Sequence, residues 1–438
     1  MARKTTTGSS LEQFRKLSVL HLTYLKYIGL WYKFDSNVSI FLRGLYYVYN
    51  KFVLISIIAF SATIFADVCS SLDDLSSVTD NGCMFTGLIV VVFKLMIFQT
   101  RSDRIIQLLH KSIDSYNQLC KFPIGNEKKI LDKYLLFCRM IFYAFSVMGV
   151  CLGIGILFLV PLEKGQLPIK ARYPFNTTVY PGHGISYSFE VYCVFIAMTS
   201  IVGMESFVIN LCSMFLVQFA ILNVHFKSCG NGQHHAMSNG IGKRDSLGTI
   251  VKNACFEVYS TIEASCGKDN YDSDAICRGG FDERFGRSIR NHQRLLAIVD
   301  DFNEIFSSCL FVQMFSSTSM ICLTCFQFTL VIGQSSNPFK TTVYMVTAFS
   351  QLFFFCLVGN EVIHQSALLM TSQWLSHWND ELSAKSGRLL ILTLIFSKRT
   401  ISLKAGAFFS LSMETFITIV KCAYSFFTLL STMNLRDQ

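Results

Sequence analysis

Long apolar runs, nearly free of charge, alternate along this chain with short polar stretches. A helix needs about 20 apolar residues to cross the roughly 30 Å of hydrocarbon in a bilayer. Seven runs fit that requirement, near Phe52 to Val68, Cys83 to Gln99, Leu135 to Pro161, Val191 to Leu222, Phe306 to Gly333, Thr341 to Gln365 and Ala405 to Ser431. The fifth carries no charged residue, and the third and fourth carry only Arg139 and Glu205. The expected fold class is therefore all-α, a polytopic membrane protein with seven transmembrane helices.

Spans four and five exceed the bilayer thickness when laid out at 1.5 Å per residue. Tilt absorbs part of the excess, and the rest is expected to protrude as packed helix. Leu295, Leu296, Val299, Phe302 and Ile305 recur at helical spacing upstream of span five. That helix is expected to begin near His292 and run unbroken into the membrane. Leu389 to Phe396 is apolar but too short to span, and reads as a separate helix preceding span seven. Ser228 to Asp282, rich in Gly, Ser, Asn, Cys and His, reads as a mobile loop. The chain thus divides into an N-terminal segment (1–51), spans one to four (52–222), a loop (223–290), spans five and six with the helices before span seven (291–404), span seven (405–431) and a tail (432–438).

Composition agrees with this reading. Of 438 residues, 51% are apolar and 15% charged, where soluble proteins carry about 25% charged residues. That excludes a disordered chain, a disulfide-rich secreted module and an ordinary soluble enzyme. The 38 Lys and Arg against 29 Asp and Glu give a net charge of +9. They are shared out among loops, whereas a nucleic-acid binder gathers them on one soluble face. Most Cys, such as Cys151, Cys193, Cys212, Cys309 and Cys356, sit inside apolar runs and read as small buried hydrophobes.

Orientation follows from where the basic residues fall. With the N-terminus cytosolic, the inner segments hold the great majority of Lys and Arg, and the C-terminus lies outside. The best apolar stretch of the first 50 residues, Leu17 to Leu25, is broken by His21 and Thr23 and has no small-residue cleavage site, so the N-terminus is expected to be retained. The first outer loop and its edges then carry Asp67, Asp73, Asp74 and Asp80 with no basic residue, and the glycosylation acceptor Asn176-Thr177-Thr178 falls in the second outer loop. A second acceptor, Asn37-Val38-Ser39, falls inside and would be silent. This topology opposes that of a G-protein-coupled receptor, and Asp103-Arg104-Ile105 follows the second span rather than the third.

No catalytic constellation is present. His234-His235 with Cys229, Cys255, Cys266 and Cys277 lacks the paired spacing of a zinc site. Cys322 and Cys325 lie in an apolar span, where packing explains them. Cys69 and Cys83 flank the acidic loop and are either a disulfide or free thiols. No metal or cofactor is expected. Charges inside spans are more informative, because each is costly unless it faces protein or water. Lys94 and Arg139, a few turns from the cytosolic side, are expected to snorkel. Glu414, Thr418, Lys421, Ser425, Thr428 and Thr432 follow one another at alternating steps of four and three, so they form one stripe on span seven. Such a stripe serves either a helix contact or a narrow aqueous path closed by an apolar ring such as Leu429 or Leu430. Glu414 and Lys421 are accordingly either structural partners of neighbouring helices or water-facing groups.

Three motifs in the last third resemble the insect odorant receptor family: Asn291 to Phe306 (NHQRLLAIVDDFNEIF), Gly359 to Ser366 (GNEVIHQS), and Ala405 to Phe416 (AGAFFSLSMETF) leading to Ala423 to Leu430 (AYSFFTLL). The resemblance implies an odorant-gated, non-selective cation channel in the plasma membrane, a heterotetramer of tuned subunits with a shared odorant co-receptor. It implies that the cytosolic ends of spans four to seven form an anchor between subunits, and that span seven lines the pore. The co-receptor's tail resembles Thr-Tyr, five apolar residues, then Gln-Phe; here the positions read Ala423-Tyr424 and Leu430-Ser431, which points to an odour-tuned subunit. Pore and gate residues are then expected at Ser425, Thr428, Leu429, Leu430 and Ser431.

Receptors of that family hold their ligand among the outer halves of spans two, three, four and six. By depth those halves contain Phe85 and Leu88; Met148, Cys151, Leu152 and Gly155; Tyr192, Phe195, Ile196 and Thr199; and Tyr344, Thr347 and Ala348. The expected ligand is a small, neutral, volatile organic molecule. Alternatives are a gustatory-type channel of like subunits, a G-protein-coupled receptor if the orientation is reversed, and a secondary transporter, whose internal repeats this sequence lacks.

Overall fold

The computed structural model describes residues 19–31, 39–72, 75–121, 127–158, 167–177, 179–230, 280–331, 338–381 and 384–434. Its helices are α1 (Ile40–Ser70), α2 (Leu75–Thr100), α3 (Ser102–Leu119), α4 (Glu127–Phe158), α5 (Gly182–Lys227), α6 (Phe281–Val331), α7 (Pro338–Trp374), α8 (Ala384–Ser397) and α9 (Met413–Asn434). A helical stretch at 19–27 precedes them and a 3-10 turn, Trp378–Glu381, separates α7 from α8. Six of the described helices are long and apolar enough to cross a membrane, and α9 supplies the seventh span. The protein is a multi-pass membrane protein. Helices suit that setting because hydrocarbon offers backbone N–H and C=O groups no partner outside the segment itself.

α5 is the axis of the helical bundle. It is apolar around its whole circumference, as a helix enclosed by others must be, and from Val202 to Ile221 every residue is buried. α6 runs 51 residues without a break, about 76 Å at 1.5 Å per residue. Phe281, Phe285, Ser288, His292, Leu295, Val299, Phe302 and Phe306 are all buried and alternate by four and three, the spacing of a helix seam. The helix begins eleven residues before the expected start at His292, because polar residues such as Arg284 and Ser288 interrupt the apolar pattern there while still facing the seam.

The charged segment after α2, between spans two and three, is the amphipathic helix α3. Ile105, Leu108, Leu109, Tyr116 and Leu119 form its buried face. Its other side is tied to α6 by Lys111–Asp301 at 2.6 Å and Arg104–Glu304 at 2.7 Å. At the same end of the bundle Gln218 of α5 donates to the Ser112 hydroxyl at 3.1 Å, and Ser386 of α8 donates to Asp282 of α6 at 2.7 Å. The loop expected at Ser228 to Asp282 falls mostly on 231–279, outside the described residues, as do His234, His235, Cys255, Cys266 and Cys277. The acceptor Asn37 lies outside them too. Cys69 and Cys83 are free thiols, and Asn176 is exposed between α4 and α5.

The seventh helix starts at Met413, not at Ala405. Residues before it form a two-stranded antiparallel hairpin, β1 (Lys404–Ala405) with β2 (Phe409–Ser410). Gly406 takes φ +69°, a conformation that suits glycine. The hairpin is held from both sides by residues within or next to the motifs quoted above. Asn303 accepts from Lys404 N–H at 2.8 Å and donates to the Ser402 carbonyl at 3.2 Å; the Ser307 carbonyl accepts from Gly406 N–H at 2.9 Å. Ser412 then caps α9, its hydroxyl accepting from Thr415 N–H at 3.2 Å. Asn360 of α7 accepts from Met413 N–H at 3.4 Å. Gly359 permits this approach, since a Cβ there would lie 2.4 Å from both the Leu411 Cβ and the Leu411 carbonyl oxygen.

Gly359→Val is therefore expected to lower thermal stability of the purified protein by roughly 2 kcal/mol or more, as overpacking against backbone does. Gly387→Ala in α8, where a Cβ meets nothing within 4 Å, is expected to be neutral or slightly stabilising. Fluorescence-detected melting of both variants checks this; equal melting temperatures would contradict the account of Gly359.

Candidate functional site

Between the helices lies a cavity of about 80 Å³. α2 contributes Met84, Gly87 and Leu88 to its wall, α4 contributes Phe145, Met148 and Leu152, and α5 contributes Val194, Ala197 and Ile201. α6 and α7 close it with Gln313, Ser316 and Met320, and with Tyr344, Thr347 and Gln351. The wall is apolar for most of its area, as expected of helices selected to pack in lipid, with a polar floor. A side chain built on Gly87 would enter open space.

Of the residues expected at a ligand site, Leu88, Met148, Leu152, Tyr344 and Thr347 share this wall. The others sit elsewhere. Ile196 and Ala348 are buried in helix packing, and Gly155 packs towards the Phe339 ring. Phe85 stacks on Phe65 at 5.1 Å, and Tyr192 packs on Phe52 at 6.0 Å. The Thr199 hydroxyl donates back to the Phe195 carbonyl at 2.7 Å. Cys151 is exposed and Phe195 is 63% exposed on the outside of the bundle. Depth alone placed these residues, and depth does not say which way a helix is turned. Gln313, Ser316 and Met320 of span five are not among the expected residues; the available signal is two glutamines, Gln313 and Gln327, within the one charge-free span.

α9 presents a second unusual surface. Glu414, Thr418, Lys421, Ser425, Thr428 and Thr432 are all exposed on the subunit; at 100° per residue they stay within about 40° of one line. The hydroxyls are satisfied locally: Thr418, Ser425, Thr428 and Thr432 donate to the carbonyls of Glu414, Lys421, Ser425 and Thr428 at 2.6 to 3.0 Å. The two charges have no partner among the described residues. Leu429 is 58% exposed beside them, and Leu430 and Ser431 continue the same helix. The opposite side of α9 packs inward through Ala423, with Phe416 against Phe353 of α7 at 5.6 Å.

Behind the floor of the cavity, in contact with the lining residues Gln313 and Gln351, lies a buried ion pair. Lys94 of α2, expected to snorkel, is instead 2% exposed and pairs with Glu205 of α5. It also donates to Gln313 of α6 at 2.6 Å, and Gln351 of α7 donates to the same Glu205 oxygen at 2.5 Å. Four helices thus meet on one pair of opposite charges. Arg139, by contrast, is exposed on α4. Breaking such a pair leaves one charge uncompensated in low dielectric, which typically costs about 3 to 5 kcal/mol. Lys94→Met is accordingly expected to destabilise the protein strongly and the double substitution Lys94→Met with Glu205→Leu to recover most of the loss. Thermal melting of the three proteins tests this; a double variant as unstable as the single one would contradict it.

Comparison with known proteins accords with this architecture. The chain matches the family described as 7tm Odorant receptor over residues 74–424. It is 27% identical over 208 residues to Odorant receptor 85c of Drosophila melanogaster, covering 48% of this chain and 52% of that one. It is 21% identical to the Odorant receptor coreceptor of the same organism over 62% of this chain and 64% of the relative; in these two alignments the chain thus spans about half to two thirds of the relative. Odorant receptor Or1 of Anopheles gambiae aligns at 22% identity over 94% of both chains. The structure of the olfactory receptor OR5 from Machilis hrabei in complex with eugenol superposes with a TM-score of 0.74, covering 97% of this chain and 99% of that one at 14% identity, a likeness of fold. Since the family match covers well over half the chain, this protein belongs to the insect odorant receptor family, a family of receptors rather than enzymes.

Proposed function

We propose that this chain is an odour-tuned subunit of a ligand-gated, non-selective cation channel in the plasma membrane, partnered by an odorant co-receptor in a heterotetramer. The observation that carries the reading is the uncovered stripe on α9. A charged side chain facing hydrocarbon costs several kcal/mol, and Glu414 and Lys421 have no partner among the described residues of their own subunit. A water-filled path shared between subunits removes that cost, with Ser425, Thr428, Leu429, Leu430 and Ser431 near its end as lining and gate. Glu414, in the first turn of α9, also gains from the positive end of the helix dipole.

In this reading the N-terminus is cytosolic and the C-terminus outside. Asn176 is then an extracellular glycosylation acceptor, and the end bearing α3 and α8 forms the cytosolic contact between subunits. The cavity among α2, α4, α5, α6 and α7 receives a small volatile molecule. Its size suits a compact ligand or one that widens the space on entering. Leu88, Met148, Leu152, Tyr344 and Thr347 contact that ligand. Phe85, Cys151, Gly155, Tyr192, Phe195, Ile196, Thr199 and Ala348 lie outside the wall and bear on ligand response only through packing. The complex that the Machilis hrabei receptor forms with eugenol is in keeping with this class of ligand.

Whole-cell recording from cells expressing this chain with and without an insect odorant co-receptor, under a panel of volatile alcohols, ethers, esters and aldehydes and with G-protein signalling blocked, tests the proposal. A rapid cation current that needs both chains is expected. Gly87→Val, which places a side chain in the open space of the wall, is expected to shift odorant sensitivity by about tenfold or more while surface expression stays unchanged. Current from this chain alone would favour a channel of like subunits, and a G-protein-dependent response would overturn the channel reading.

A further inference from the structure

The polar groups at the cavity wall are unevenly used. Each hydroxyl there has already spent its proton: Tyr344 donates to the Met84 sulfur at 2.8 Å, Thr347 to the Val343 carbonyl at 2.7 Å, and Ser316 to the Thr86 carbonyl at 2.9 Å. The amide orientation of Gln351 is fixed by the carboxylate beside it, since only its nitrogen can donate to Glu205. Its carbonyl oxygen therefore points away from Glu205 and has no partner among the described residues. Glu205 is 0% exposed, and its second carboxylate oxygen is buried without a partner. At the floor the Gln351 oxygen is thus an unmatched acceptor beside amide hydrogens with capacity to spare, and behind it the second Glu205 oxygen is unmatched too, where an unmatched polar atom is costly.

We infer that the cavity selects a ligand carrying a hydroxyl group, a small alcohol or phenol, whose O–H donates to the Gln351 carbonyl oxygen while its hydrocarbon part fills the apolar wall. The inference rests on the reading of this cavity as the ligand site and names the chemistry that site prefers. Spare amide hydrogens remain on Gln313 and Gln351. A hydroxyl uses both kinds of group at once, accepting from an amide and donating to a carbonyl oxygen. An ether or ester oxygen can only accept, and it leaves the glutamine oxygen unmatched and newly desolvated. Gln351 is in this account a specificity residue, held in place by the Lys94–Glu205 pair.

The test compares alcohols with their own methyl ethers, from 1-butanol to 1-octanol together with benzyl alcohol, as agonists of the chain co-expressed with an odorant co-receptor. The best alcohol is expected to act at a concentration at least about tenfold lower than its ether, the effect of one hydrogen bond to a buried group. In Gln351→Met that ratio is expected to fall towards one, and surface labelling of the variant shows separately that it is folded and reaches the membrane. Gln351→Asn, which keeps an amide but withdraws it from the floor, is expected to narrow the ratio as well and serves if the methionine variant does not reach the surface. Equal potency of alcohols and ethers in the unsubstituted protein, or a ratio unchanged in the Gln351 variants, overturns the inference. The underlying reading fails separately: in that case Gly87→Val leaves the response to both classes of ligand where it was.

Discussion

A polar stripe on a membrane helix has to be covered by something other than lipid, and among the described residues of this chain nothing covers the stripe on α9. α9 packs through Ala423 and Phe416 against its neighbours and turns Glu414 and Lys421 the other way. Back-bonding to the helix satisfies the protons of Thr418, Ser425, Thr428 and Thr432, yet among the described residues nothing neutralises the two charges. That requirement gives the hairpin its purpose. Asn303, Ser307, Gly359 and Asn360 fix the last residues before α9, so the helix leaves the bundle at a set position with its polar side outward.

The cavity and α9 share α7. Thr347 and Gln351 face the cavity, Phe353 meets Phe416 two residues further on, and Gly359 and Asn360 seat the hairpin and the start of α9. In the proposed channel a ligand acts by binding the open arrangement more tightly than the closed one, since equal affinity would shift nothing. A helix that touches both sites offers a packed route for that difference, and its residues are where substitutions would separate binding from opening. Spatial position alone does not establish coupling; measured changes in the balance of open and closed states do.

Much of the fold is legible in the pattern of apolar runs, because lipid imposes a length and a composition on each span that few other constraints mimic. All seven spans correspond to helices, and the stripe on α9 is readable from spacing alone. α3 escapes that pattern because its apolar positions, Ile105, Leu108, Leu109, Tyr116 and Leu119, are diluted by charges that reach to α6, so only their period betrays the helix. The start of the seventh helix is misplaced by the pattern because Ala405 to Leu411 is as apolar as a span, while the turn at Gly406 and the cap at Ser412 are tertiary features. The polar network at and behind the floor of the cavity is illegible for a similar reason: Lys94, Glu205, Gln313 and Gln351 are scattered over the chain, and nothing local says that they meet. Depth locates five wall residues and does not orient Phe195 or Cys151, which face away.

The claim on which the account turns is that the polar side of α9 faces water in a conducting pore. Cysteine accessibility tests it most directly. With the exposed native Cys422 replaced by alanine, single cysteines at Thr418, Lys421, Ser425 and Thr428, and at Ile419 and Ala423 on the packed side, are exposed to a charged thiol reagent during odorant-evoked current in the presence of the co-receptor. The account predicts rapid block or alteration of the current at the stripe positions and none at Ile419 or Ala423. Modification that ignores the stripe, or current unaffected at all four of its positions, would contradict it.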